Sequence, residues 1–118
     1  MPAPRLVSLA LILAGCSVGN ITEDNYAEKA ADIACRTLAK CERGYYESEY
    51  SDMADCRDEI QDDLEDLGED LDDAGCDFDE GEAQECLDTL NTLTCEEYYE
   101  DVVQEGMHDD CRKVWDCD

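Results

Sequence analysis

Nine cysteines in 118 residues constrain this chain more than any other feature. They stand at Cys16, Cys35, Cys41, Cys56, Cys76, Cys86, Cys95, Cys111 and Cys117, and no two are separated by just two residues. The missing C-x-x-C spacing removes the thioredoxin and zinc-ribbon patterns. Cys16 stands apart, at the end of an apolar run. Setting it aside leaves eight cysteines, an even number that can close four structural disulfides, in any of 105 connectivities. Each would add roughly 2–4 kcal/mol by restricting the unfolded chain.

The apolar run spans Leu6 to Ala14 behind Arg5 and ends in Leu13-Ala14-Gly15-Cys16. A membrane-spanning helix needs about 20 apolar residues, so the run is too short and reads as a processing signal. Its end resembles the lipobox of bacterial lipoproteins. That resemblance implies cleavage before Cys16 and acylation of Cys16 as the first mature residue; the plainer alternative is a secretory signal cut after Gly15. The chain then divides into a signal peptide at 1–15, a lipidated tether at 16–21 and a cysteine-rich domain at 22–118. Export places the domain in an oxidising cell envelope, where disulfides persist. Ser17 is not the aspartate that retains enterobacterial lipoproteins at the inner membrane. By that analogy the outer membrane is favoured, with a periplasmic or surface face.

Charge decides which partners are possible. The chain carries 34 acidic and eight basic residues, a net −26. Nucleic acid is excluded, because phosphate binding needs a basic surface. Anionic headgroups would also repel the domain, so membrane contact is expected through lipid on Cys16. Self-repulsion at this density opposes compaction, which makes the staples a necessity.

Periodicity predicts an all-α fold, a small disulfide-stapled bundle of about four helices. Asn20 to Glu23 has the form of a capping box. Ala27, Ala30, Ala34, Leu38 and Cys41 then follow at helical intervals, with Ala31 and Cys35 beside them, toward a stop near Gly44. Tyr45, Tyr46 and Tyr50 form an aromatic connection. Met53, Cys56, Ile60, Leu64, Leu67, Leu71 and Ala74 predict a long helix over 51–74 that Gly75 terminates. Gly68 falls on its polar side, where it weakens the helix and marks a bend. A third helix follows Asp77 or Asp79 as cap, with Ala83, Cys86, Leu87, Leu90 and Leu93 inward. Thr94 to Glu97 forms a second capping box, opening a fourth helix that stops near Gly106. A last short turn places Cys111, Val114, Trp115 and Cys117 against the rest. No run alternates as a half-buried strand does. In a hairpin of the first two long helices, Cys41 and Cys56 reach the same level and are expected to pair. Cys35 and Cys41, six residues apart on one helix, are not.

Several clusters invite a functional reading. The segment from Asp52 to Asp73 holds twelve acids and only Arg57 as a base. It reads as a solvated acidic face, or alternatively as a low-affinity sink for hard divalent cations. No EF-hand register fits, starting from Asp70 or from Asp77, and no metal-ligand set is expected. His108, flanked by Asp109 and Asp110, is the only histidine and reads as a surface residue. Tyr45, Tyr46, Tyr50, Tyr98 and Tyr99 offer a recognition patch or ordinary rim packing. No serine lies in a G-x-S-x-G turn, and no catalytic residue or cofactor is assigned.

With its lipobox, Cys35-x5-Cys41, Cys86-Leu87, Thr94-Cys95 and the terminal Cys111-x2-Val114-Trp115-x-Cys117, the chain resembles the small, acidic, cysteine-rich helical lipoproteins of myxobacteria. That resemblance implies a fold and a location but no activity. The expected function is a membrane-anchored, non-enzymatic interaction or structural module for a cationic or cation-bridged partner. The alternative is a small secreted enzyme or enzyme inhibitor on a disulfide scaffold.

Overall fold

A computed structural model of the protein describes residues 18–117, so the leader and Cys16, with its expected acylation, lie outside the described residues. The first helix, α1 (Glu23–Cys41), is capped by Thr22, two residues after the expected cap Asn20. Ile21 is buried, its N–H bonded to the Gln84 side chain at 2.8 Å, so the chain turns helical only after it. Thr22 and Asn25 supply the reciprocal pair instead: Asn25 N–H donates to Thr22 Oγ1 at 3.3 Å, and Thr22 N–H to Asn25 Oδ1 at 2.9 Å.

Gly44 is not the stop. The helix ends at Cys41, Glu42 leaves helical geometry at φ −135°, and a second helix, α2 (Arg43–Glu49), runs through Gly44, Tyr45 and Tyr46. The expected loop is therefore itself helical. After Tyr50 comes α3 (Met53–Asp73), where Asp55 N–H donates to the capping Asp52 carboxylate at 2.8 Å. Gly75 ends it at φ +89°, a left-handed conformation that a side chain would strain. Gly75 N–H then reaches the Asp72 carbonyl at 3.0 Å and Cys76 N–H the Leu71 carbonyl at 2.9 Å, the two bonds of a Schellman stop.

Beyond β1 (Asp77–Phe78), Asp79 caps α4 (Glu80–Asn91), accepting Glu82 N–H at 2.9 Å. Thr94 and Glu97 form the expected box ahead of α5 (Cys95–Tyr98), which widens into a π turn over Tyr99–Val103. A 3-10 turn at Asp109–Cys111 leads to β2 (Trp115–Asp116), antiparallel to β1 with Phe78 opposite Trp115 and Asp77 opposite Asp116. The fold is all-α apart from this two-residue ribbon. Among the described residues no helix is long and apolar enough to cross a membrane.

The central element is α1, which packs along α3 and also against α4 and α5. Ile21, Ile33, Ala83, Cys86, Leu87 and Val114 form the core, and Val18, Tyr26, Phe78, Leu90 and Trp115 pack on it. Among the described residues eleven apolar ones are buried, and four of them are half-cystines, so the bridges are part of the core itself. No polar or charged residue is buried among those described.

The eight cysteines form Cys35–Cys56, Cys41–Cys95, Cys76–Cys117 and Cys86–Cys111. The expected Cys41–Cys56 bond is not formed. The connection is a helix, not a tight loop, and α3 meets α1 through Cys56 at the level of Cys35, about 9 Å below Cys41 along the axis. Cys41 turns instead to the start of α5. Cys76–Cys117 flanks the ribbon, holding two aspartates opposite each other in a pairing too short to persist alone.

The apolar stripe of α3 also differs from the expected one. Leu67 is 49% exposed, while Gly68 faces inward, with the position of a Cβ there 3.4 Å from Trp115 Cζ2. At 3.6 residues per turn, the position after Leu64 falls between 67 and 68. The indole packs on the Gly68 side, at the distance of ordinary van der Waals contact from a Cβ there.

Candidate functional site

The twelve acids of the α3 segment lie at the surface, and all but Asp55 are exposed. Arg57 does not neutralise them: it pairs with Asp32 of α1 at 3.1 Å, and Arg36 joins the same carboxylate group at 3.0 Å. Asp58/Asp62, Glu59/Asp63, Asp62/Asp66, Glu65/Glu69, Asp66/Asp70 and Glu69/Asp73 are like charges one turn apart. At roughly 0.2–0.5 kcal/mol each, they oppose the helix by about 1–3 kcal/mol at low salt. Among the described residues no group of three or more His, Cys, Asp or Glu is placed to hold a metal ion. Raising salt from low to physiological strength should therefore lift the melting temperature by roughly 4–8 °C per kcal/mol relieved, equally for NaCl and for CaCl2 at matched ionic strength. A distinctly larger rise with Ca²⁺ would mean cation capture and contradict this account.

His108 acts as a structural cap. Its Nδ1 accepts the Asp110 N–H at 3.1 Å and opens the 3-10 turn, while the Thr89 hydroxyl donates to the Asp110 carboxylate at 2.8 Å. The tyrosines separate into two groups. Tyr45, Tyr46 and Tyr50 pack ring on ring at the end of α2, with centroids 6.0 and 6.5 Å apart. Tyr98 and Tyr99 bind the joint between α1 and α5. The Tyr99 hydroxyl donates to the Cys41 carbonyl, one of the acceptors that a helix end leaves open.

Tyr98 donates to the Glu42 carboxylate at 2.6 Å. Burial first, and then that hydrogen bond, raises the Tyr98 phenol above the ordinary tyrosine value of 10.0. The folded protein thus keeps a proton that the unfolded chain releases near pH 10. The stabilisation is complete below that pH and is lost as pH rises toward the folded value. Chemical denaturation at pH 7 should show Tyr98→Phe less stable by about 1 kcal/mol. Between pH 9 and 11 the variant should lose stability less steeply than the parent. The slope does not vanish, because burial also raises Tyr26 and Tyr50. Parallel slopes would refute the Tyr98 hydrogen bond.

A feature with binding geometry lies between α1 and α3. Residues of both helices line a cleft of about 460 Å³, within the range of ligand sites. Its floor is aromatic: Tyr26 meets Phe78 edge to face at 5.4 Å, and Phe78 meets Trp115 likewise at 5.2 Å. Glu23 and Asp24 stand on one rim, in the first turn of α1, where the helix dipole favours negative charge. Glu65, Glu69 and Asp72 line the other rim, and among the described residues no basic side chain lines the cleft.

Sequence reasoning did not assemble this cleft. Tyr26, Phe78 and Trp115 lie far apart along the chain, and the ribbon that joins two of them is too short to leave a pattern. Gly68 is the one local clue, because an unexplained glycine inside a long helix signals a close neighbour. A second, apolar depression runs between α1 and α4, lined by Ile33, Leu38, Leu90 and Leu93 and closed by Tyr98.

Fold and staples define a small all-α, disulfide-stapled protein. No family model matches the chain, and neither a curated protein nor a solved structure matches it.

Proposed function

We propose that the chain is an exported, lipid-anchored, non-enzymatic module of the bacterial cell envelope, whose acidic surface engages a cationic or cation-bridged partner. The observation that carries this reading is the uncompensated acidic surface of α3: twelve acids between Asp52 and Asp73, with Arg57 committed to Asp32. Such a surface repels nucleic acid and anionic headgroups and attracts cations. The staples support export, since disulfides persist in oxidising compartments. Anchoring rests on Leu13 to Cys16, and the outer membrane on the residue that follows. Gln84 also holds the lead-in, donating to the Gly19 carbonyl at 2.8 Å and accepting from Ile21 N–H. A lipid at Cys16 would thus hold the domain close to the bilayer.

Two measurements test the proposal. Intact-mass analysis of the exported protein should find an acylated Cys16, with the protein partitioning into detergent; an unmodified Cys16 amino terminus contradicts the anchor. Biosensor titration of a Cys16→Ser chain should show binding to polylysine that weakens steeply with salt, and none to heparin. No polycation binding at 50 mM salt, an order-of-magnitude choice that keeps screening weak, contradicts the acidic-module reading.

A further inference from the structure

We infer that the cleft between α1 and α3 receives an arginine side chain from a basic segment of a partner protein. This rests on the acidic-module reading and gives it a site and a ligand class. Tyr26, Phe78 and Trp115 line the cleft, and the negative quadrupole of aromatic rings attracts diffuse cations. Carboxylates from two helices rim it, and no basic residue among those described lines it. The arginines among the described residues are engaged elsewhere, Arg36 and Arg57 with Asp32, Arg43 with Glu47, and Arg112 with Glu105 and Asp109. Gly68 and Trp115 both line the cleft, with the position of a Cβ at Gly68 3.4 Å from the indole.

The combination selects among cations. A hard metal ion needs several converging oxygens, and none of the described acids form such a group. A quaternary ammonium could stack on the rings but has no N–H for the carboxylates. A lysine ammonium donates hydrogen bonds but is compact and strongly hydrated. Guanidinium is planar and weakly hydrated, stacks on aromatic faces, and presents paired N–H groups that match a carboxylate. It alone uses both floor and rim.

The test uses the exported, oxidised chain carrying Cys16→Ser. Trp115 is the only tryptophan, so its fluorescence reports on this cleft. Three short blocked peptides are titrated at physiological salt, identical except for a central arginine, lysine or citrulline, the last being nearly isosteric with arginine but neutral. The arginine peptide should shift the Trp115 signal. Lysine should bind about fivefold more weakly, and citrulline should have no effect. Glu65→Gln with Glu69→Gln should weaken the arginine peptide by roughly threefold to tenfold. These positions are exposed, so folding is preserved. Tyr26→Leu should erase the preference for arginine over lysine, and Tyr26→Phe should keep it.

Equal affinity for arginine and lysine, or arginine binding unchanged by the paired glutamine substitutions, overturns the cleft assignment. An arginine peptide that leaves Trp115 silent while polylysine binds also overturns it, yet leaves the acidic-module reading intact. Failure of every cationic probe overturns both.

Discussion

Reduction of the four disulfides is expected to unfold this protein in buffer without denaturant. The bridges close loops with sequence separations of 21, 54, 41 and 25 residues. Loss of a native disulfide from a small exported domain costs roughly 2–5 kcal/mol, and total stability is usually about 5–15 kcal/mol. The loops overlap, so their contributions do not simply add, but losing them together exceeds what the core can supply. That core holds few large side chains besides Ile21, Ile33, Leu87 and Val114. The chain also carries a net −26 that the unfolded state relieves. Far-UV circular dichroism on adding reductant should show most of the helix signal lost. Retention of that signal with all thiols free would show that helix packing suffices without the bridges.

A single bond should also be measurable. Replacing Cys35 and Cys56 together by serine removes a fully buried bridge between the two longest helices. It should cost about 3 kcal/mol from chain entropy alone. Peptide mapping of the oxidised protein should find Cys35 with Cys56 and Cys41 with Cys95. A peptide joining Cys41 to Cys56 would return the hairpin to a simple loop and remove α2 as a helical connection.

Leu87→Ala is expected to be the most damaging single core substitution. Leu87 is 0% exposed, at the middle of α4, against Ile33, Val114 and the Cys86–Cys111 bridge region. Truncating a buried leucine costs roughly 2–5 kcal/mol, because the neighbours close the cavity only in part. In a domain of this size that lowers the melting temperature by roughly 4–8 °C per kcal/mol. Leu67→Ala provides the contrast, since Leu67 is 49% exposed and its truncation should change stability by less than about 0.5 kcal/mol. Helical periodicity alone ranks the two leucines together. Calorimetry that gave them equal losses would place Leu67 inside and contradict the rotation of α3 that exposes it.

That contrast marks where the amino-acid order stops being readable. The all-α class followed from 3.6-residue periodicity, and so did the existence of each long helix. Gly75, Asp79 and the Thr94–Glu97 pair were legible as helix ends, because each acts on backbone groups within about five residues of itself. The acidic face of α3 was equally visible, since exposure is the ordinary state of so many carboxylates. Gly44 misled for the opposite reason: a glycine stops a helix only when no distant contact sustains one. Here Tyr99, Tyr98 and Cys95 bind the end of α1 from far along the chain.

What could be read locally was therefore decided by short-range hydrogen bonding, propensity and charge. Which cysteines meet, which side of α3 faces inward and where the aromatic floor forms were decided by packing. A helical connection shifted α3 to the level of Cys35, and the returning carboxyl-terminal ribbon laid Trp115 against Gly68 and Phe78. Those contacts join residues separated by tens of positions. Their geometry depends on how every intervening element is placed, and no local pattern in the sequence encodes that.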